Sequence, residues 1–296
     1  MSLNDVPRRF VARLCRTSLL SEQGFPPGHF YSPIPSLSSV FRREAKIFDV
    51  PPEIQGVDLN VDRQIEILAA LGDLCEDHPF VVEGQSSTRF QSPNDNFSAG
   101  EACVYYGLLR YWRPRRVIEI GSGYTTLVLL DALDRSDLHA TECIAIDPYP
   151  DLLRKLLQPS DAARVQILQQ ELQDVSLDLF ATLGANDLLF VDSSHVAKIG
   201  SDVNTIFFDI LPSLAAGVCV HFHDIYYPFE YPKEWVRQGR AWNEAYILRA
   251  FLQYNPAFRI CFFNSYIAAF HRHLLKQSMY AYALQPGSSL WLRKDS

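Results

Sequence analysis

The sequence predicts an α/β protein: a seven-stranded, mostly parallel sheet with helices on both faces, preceded by an irregular N-terminal extension. Two observations carry this. From Ala99 onward, short apolar runs alternate with helical patterns, as βαβ units on a parallel sheet require. Before about residue 95 that alternation is missing, and prolines interrupt the chain instead. The 296 residues are 48% hydrophobic, enough to bury roughly three quarters of the unfolded surface in one core or two.

Taken in order, the first region holds FPPGHFYSPIPS (Phe25 to Ser36), the pair Pro51 and Pro52, and one strong helical stretch, Val61 to Cys75. Residues 1–95 therefore read as an extension and cap region, and 96–296 as the core. The arm His29 to Ser36 either crosses the functional cleft or lies extended on the surface. In the core, strands are expected at Arg116 to Gly121, Cys143 to Asp147, Arg164 to Leu168, Asp187 to Asp192, Gly217 to His223, Phe258 to Phe263 and Ser289 to Leu292. Helices are expected near Glu101 to Arg110, Thr125 to Leu133, Asp151 to Leu157, Val175 to Leu183, Asp202 to Leu214 and Asn243 to Tyr254. The last two strands look close to a hairpin, which puts one antiparallel strand at the end of the sheet.

Composition removes several function classes. Charged residues make up 21% and the formal net charge is −7, so no basic field exists to collect phosphate backbones or anionic lipid. A small-molecule partner is expected, with neither nucleic acid nor membrane. The cysteines, Cys15, Cys75, Cys103, Cys143, Cys219 and Cys261, are scattered without a CxxC pair and read as buried thiols. No apolar run is long enough to span a bilayer and no signal-peptide core opens the chain, so a cytoplasmic protein is expected. Arg8, Arg9, Arg13 and Arg16 in an acid-poor opening carry the competing transit-peptide reading. Oligomeric state is not legible.

In an open parallel sheet, ligands bind outside the carboxyl ends of the strands. The first strand ends in VIEIGSGYTT, with Glu119 inside it and Gly121, Ser122 and Gly123 in the turn. Glycines there let a ligand approach the backbone, and the following helix offers unpaired N–H groups. A dinucleotide fingerprint would place a third glycine at 126, where Thr126 stands, which weakens a pyrophosphate reading. Glu119 adds to this, because a carboxylate repels phosphate but complements an ammonium. Asp147 closes the second strand and is able to accept both hydroxyls of a ribose. After the third strand, Asp174 suits an adenine amino group, with Glu171 its rival, and Asp192 closes the fourth. Taken singly, each acid is equally well a helix cap.

The segment Asn94 to Trp235, through RVIEIGSGYTT, LLFVDSSHVAKIGSDVN and HFHDIYYPFEYPKEW, resembles the class I S-adenosylmethionine (SAM) dependent methyltransferases, specifically the bacterial methyltransferase family 24. The resemblance implies a Rossmann-like core with Glu119, Gly121, Gly123 and Asp147 on SAM. The chain departs from the wider superfamily's GxGxG by carrying Thr125 at the last glycine.

Methyl transfer needs the acceptor aligned with the sulfonium methyl and relieved of a proton. The fourth strand closes with Asp192, Ser193, Ser194 and His195, and the fifth with His223 and Asp224. Period-two alternation puts His221 on the face of His223 but deeper, as a core residue. Two roles compete for the cluster. Asp192, His223 and Asp224 occupy positions comparable to the metal ligands of catechol-type O-methyltransferases, which would suit Mg, Mn, Fe or Zn. Alternatively His195 or His223, with Asp224, is a metal-free base whose pKa needs little tuning. The loop Ile225 to Val236 is either an aromatic wall for the acceptor or packing. The expected activity is methylation of a small-molecule hydroxyl. Its rivals are a nicotinamide-linked oxidoreductase, a metal-dependent hydroxylase using His195, His223 and Asp224 on the same fold, and a non-catalytic SAM-binding protein.

Overall fold

The computed structural model describes residues 24–82 and 88–295. The chain divides into two units, one comprising residues 24–49 with Pro232–Ala241, the other Val50–Tyr231 with the chain from Trp242 on. The boundary therefore falls at Asp49, not near residue 95. The reason is the amphipathic helix Val61–Leu74, whose Ile67, Leu68 and Leu71 are buried with the core instead of forming a separate cap. Cys15 and the four N-terminal arginines lie outside the described residues.

The small unit is built from the short helices Leu37–Arg42, Glu44–Ile47 and Lys233–Arg237. Lys233 Nζ lies 3.5 Å from Glu44, and the Arg237 guanidinium stacks 4.8 Å from the Phe41 ring centre. The proline-rich arm is a turn closed by Gly28 N donating to Ile34 O at 2.9 Å. Phe25, His29 and Tyr31 cluster on it.

The large unit holds seven strands: β1 Arg116–Ile120, β2 Glu142–Ile146, β3 Val165–Leu168, β4 Leu188–Val191, β5 Cys219–Phe222, β6 Phe258–Phe263 and β7 Leu290–Lys294. Their order is β3-β2-β1-β4-β5-β7-β6, with β7 antiparallel to both of its neighbours. The expected antiparallel strand exists, but it sits inside the sheet, not at its end. Its connection to β6 is not a hairpin either, because helices Asn264–Phe270 and Tyr280–Leu284 intervene. Leu290, Trp291 and Leu292 are all buried, as an inner strand covered on both faces demands. The true edge, β6, is covered by side chains: Phe263 N donates to Gln64 Oε1 at 2.9 Å and Asn60 Nδ2 to Ile260 O at 2.9 Å.

Helix Ala99–Trp112 is buried along nearly its whole length and opens with a capping box, Ser98 and Glu101 exchanging side-chain-to-backbone bonds of 3.1 and 3.2 Å. His221 lies in the core beneath it. It stacks 3.8 Å from Phe190 and packs at a tilt 4.2 Å from Trp291, and neither ring nitrogen finds a hydrogen-bond partner among the described residues. Burial, helped by the nearby His223, holds it neutral. The loop after β5 is packing in its first half: Tyr227, Phe229 and Tyr231 are buried, and Tyr227 packs on Phe263 and Tyr266 while its hydroxyl donates to Pro51 O at 2.6 Å. Cys75, Cys103, Cys143, Cys219 and Cys261 are buried free thiols.

Arg89 ties the segment before Ser98 to this core. Its guanidinium, 10% exposed, lies 2.7 Å from Asp161 and from Asp134 and 3.1 Å from Asp131. Removing it strands the buried carboxylates of Asp131 and Asp161. Arg89→Ala should therefore lower unfolding free energy in urea by about 3–5 kcal/mol. Loss of the exposed Arg63–Glu66 pair by Glu66→Ala should change it by less than about 1 kcal/mol.

Candidate functional site

The parallel register assembles the site. Ile120 faces Ile146 on one side and Val191 on the other, and Val191 faces Phe222. The residues that follow these therefore line one edge in the spatial order Asp147, Gly121, Asp192, His223. Backbone bonds pin that edge: Gly121 N to Ile146 O at 2.9 Å, Asp192 N to Ile120 O at 2.8 Å and His223 N to Val191 O at 2.9 Å.

At the glycine turn, Gly121 has φ +82°, and a Cβ there would meet the Asp192 carbonyl oxygen at 2.3 Å. Only glycine allows β1 and β4 to end this close together. Ser122 Oγ donates to Asp147 Oδ2 at 2.6 Å, and Tyr149 N to Asp147 Oδ1 at 2.7 Å, so Asp147 braces the turn that it faces. Asp174 stands apart, exposed in the short turn Leu172–Asp174.

Glu119 is buried behind the turn. Its Oε2 accepts from Thr126 Oγ1 at 2.6 Å, and Thr126 Oγ1 accepts from Gly123 N at 3.3 Å. Thr126, conspicuous in the sequence only as a missing glycine, is thus the link between the acid and the turn. The other oxygen, Oε1, is buried without a hydrogen-bond partner among the described residues. Burial pushes the Glu119 carboxyl up to about 7, against the pull of the Thr126 and Thr125 hydroxyls. A buried, unpaired carboxyl oxygen beside a glycine turn fits the ammonium of SAM, and the strand edge fits the rest of that cofactor.

The ends of β4 and β5 bring four charged groups into an alternating ring. His195 Nε2 lies 3.3 Å from Asp192 Oδ1 and 3.6 Å from Asp224 Oδ2. His223 Nδ1 lies 3.5 Å from Asp192 Oδ1 and 3.8 Å from Asp224 Oδ1. His195 and Asp224 have φ of +59° and +57°, backbone that non-glycine residues adopt at a cost, and both turn inward from there. Trp242 packs against the His195 ring at 4.3 Å.

Two further carboxylates, absent from the sequence reading, stand behind the imidazoles. Glu244, fully buried at the start of helix Glu244–Leu252, meets His195 Nδ1 at 2.8 Å and accepts from Ser193 Oγ at 2.8 Å. Glu101 lies 3.5 Å from His223 Nε2 and accepts from Ser288 N at 2.8 Å. Its capping-box spacing announces a helix start in the sequence, but nothing there connects it to His223.

These neighbours decide the charges. Burial opposes a charged His195, but Asp192 and Glu244 overcome it and push the imidazole up to about 10. Burial likewise opposes a charged His223, and Asp224, Asp192 and Glu101 push it well above its ordinary range. For Asp192, burial is outweighed by His223 and His195, which hold the carboxyl well below the usual range. The histidines are thus charged at neutral pH, not poised near it as expected. Among the described residues no three His, Cys, Asp or Glu side chains are arranged to hold one metal ion. The groups expected as ligands, Asp192, His223 and Asp224, face each other as opposite charges, so a cation binding there would have to displace the His223 proton. Among the described residues no helix is long and apolar enough to cross a membrane.

Residues 118–225 match the family model described as a methyltransferase domain, family 24. A protein of Archaeoglobus fulgidus described as uncharacterized is 38% identical over 168 residues, 55% of this chain and 75% of that protein. Among solved structures, the S-adenosylhomocysteine (SAH) bound methyltransferase of Podospora anserina is similar across 100% of both chains, with 13% identity and a TM-score of 0.46. The SAM-bound O-methyltransferase of tomaymycin synthesis from Streptomyces achromogenes is similar over 88% of this chain and 96% of its own, with 12% identity and a TM-score of 0.42.

The turn yields a pH-dependent expectation. Below about 7 Glu119 is protonated and must lose that proton to pair with a ligand ammonium. SAH binding, followed by calorimetry, should then weaken up to about tenfold for each pH unit below 7 and release a proton as it does so. Glu119→Gln should bind weakly with the pH slope abolished, and Gly121→Ala should lose binding outright.

Proposed function

The chain belongs to the family 24 methyltransferases, class I enzymes that use SAM, and on that premise we propose that it methylates a hydroxyl oxygen of a small-molecule acceptor. One observation supports this above the others: the alternating Asp192, His195, Asp224, His223 ring stands on the strand edge beside the glycine turn. Oxygen acceptors are the ones whose nucleophile must shed a proton before or during transfer.

In this reading Glu119, Gly121, Ser122, Gly123 and Asp147 hold SAM, with Asp174 on the adenine side and Asp192 bordering both the turn and the ring. When bound, SAM supplies an electrophilic methyl whose sulfonium is neutralised on transfer. The ring binds the acceptor hydroxyl. Charged His195 and His223 donate toward its oxygen and stabilise the developing negative charge, and the carboxylate of Asp224 receives the proton. The proton lost by the hydroxyl is the one that leaves with the products, methyl ether and SAH. This assigns the work of lowering the hydroxyl pKa to two imidazolium charges, with no step routed through a metal.

The test has two stages. Calorimetric titration with SAH and, separately, NADH should give binding for SAH alone. A hydroxyl-bearing acceptor library should then be screened by SAH formation, with and without a chelator. His195→Ala and Asp224→Asn should retain SAH affinity while losing about 10²–10⁴-fold in turnover. Turnover abolished by the chelator and restored by a divalent ion would overturn the metal-free reading. Binding of NADH in place of SAH would overturn the cofactor assignment.

A further inference from the structure

Glu101 and Glu244 come from helices 143 positions apart in the sequence, yet they take equivalent places in the site. Each is buried, each is the acid of a helix's first turn, and each meets one imidazole on the nitrogen that faces away from Asp192. For His195 the outer nitrogen is Nδ1 and the inner one Nε2. For His223 the assignment is reversed, with Nε2 outside and Nδ1 inside. The inner Nδ1 of His223 is buried and finds no hydrogen-bond partner among the described residues.

We propose that Glu101 and Glu244 are positioning residues, each fixing the proton on the outer nitrogen of its histidine so that the inner nitrogen is presented to Asp192, Asp224 and the acceptor. The physical reason is the one that applies to any oriented imidazole: a buried carboxylate on one nitrogen sets both the ring's rotation and its protonation. The proposal rests on the reading of the ring as the group that handles the acceptor's proton.

The surroundings argue that the carboxylates serve this end. Glu101 is let in by Gly287, where a Cβ would lie 2.0 Å from its Cδ, and it is held by Ser98, Ser288 and Ser289. Ser288 also donates to Asp224 Oδ1 at 3.0 Å, so one serine ties Glu101 to the ring. Glu244 is fixed at its other oxygen by Ser193, the residue after Asp192. The His195 carbonyl in turn accepts from Asn243 N at 3.0 Å and Glu244 N at 3.2 Å, so the helix start and the histidine grip each other twice. Around His195 the facing charged groups are Asp192, Asp224 and Glu244. Around His223 they are Glu101, Asp192 and Asp224, with neutral His221 stacked at 6.1 Å.

The test is ring ¹⁵N NMR of the full chain labelled at histidine, in the absence of acceptor, with the two resonance sets assigned by His195→Gln and His223→Gln. In Glu244→Gln the His195 midpoint should fall by about 1–3 pH units and the proton on Nδ1 should no longer be fixed, with His223 unmoved. Glu101→Gln should do the converse. Glu101 accepts several bonds, so its variant is to be melted first; if it fails to fold, Glu244→Gln alone decides. An unmoved His195 midpoint in folded Glu244→Gln, or equal movement of both histidines in either variant, would overturn the proposal. SAH titration of the same samples keeps the two ideas separable: unchanged SAH binding with a shifted His195 supports the positioning role, whereas wild-type protein that fails to bind SAH would remove the methyltransferase site without touching the ring result.

Discussion

Asp192 is the residue on which the functional end of the sheet depends, through its contacts with two imidazoles. A carboxylate held among buried groups in the company of Glu101, Asp224 and Glu244 would on its own be strongly penalised. His195 and His223, each within 3.5 Å of its Oδ1, supply the opposite charge that makes the arrangement tenable. The dependence is mutual. The imidazoles carry charge only because carboxylates sit at both of their nitrogens, and they stay in place because strained backbone at His195 and Asp224 is tied down by Ser193, Asn243 and Ser288. Helix Glu244–Leu252, the capping box of helix Ala99–Trp112 and the Ser288 turn before β7 all converge on this ring.

Much of the fold was legible because parallel strands covered on both faces must be short and continuously apolar. All seven strands were placed within about two residues at each end. What misled was β7, which looked like a hairpin partner of β6 but slots between β5 and β6. Strand order is fixed by contacts across the sheet, and a local pattern contains no record of them. The boundary near residue 95 failed for a related reason: irregular texture in Pro51 to Pro93 marks loops, but Ile67, Leu68 and Leu71 show that their helix has no core of its own to join.

The site divided along the same line. Glu119, Gly121, Asp147, Asp192, His195, His223 and Asp224 could be picked out because each lies at a strand end, where topology alone predicts a cleft. Glu101 and Glu244 could not, since an acid in a helix's first turn is the most ordinary of capping residues. Their meaning is conferred by the histidines they meet. Charge state was equally hidden: a histidine's ordinary pKa suggests a base near neutrality, whereas paired buried carboxylates make these two into cations.

Asp192 also connects the glycine turn with the charged ring. Its carbonyl oxygen is the atom that excludes any side chain at Gly121, so the width of the glycine turn and the position of the ring are set by the same residue. Its charge adds to the burial that raises Glu119, which makes the turn reluctant to hold a second carboxylate charge. In the proposed reading, an ammonium arriving at Glu119 relieves that repulsion. The sulfonium charge of a bound methyl donor lowers the proton affinity of every nearby group, imidazole and carboxylate alike. A single neutral base would bear the whole of that loss, becoming a weaker acceptor just when one is required. A balanced set of carboxylates and imidazoliums spreads that cost over four groups, which is a physical rationale for building this edge from a ring and not from one histidine.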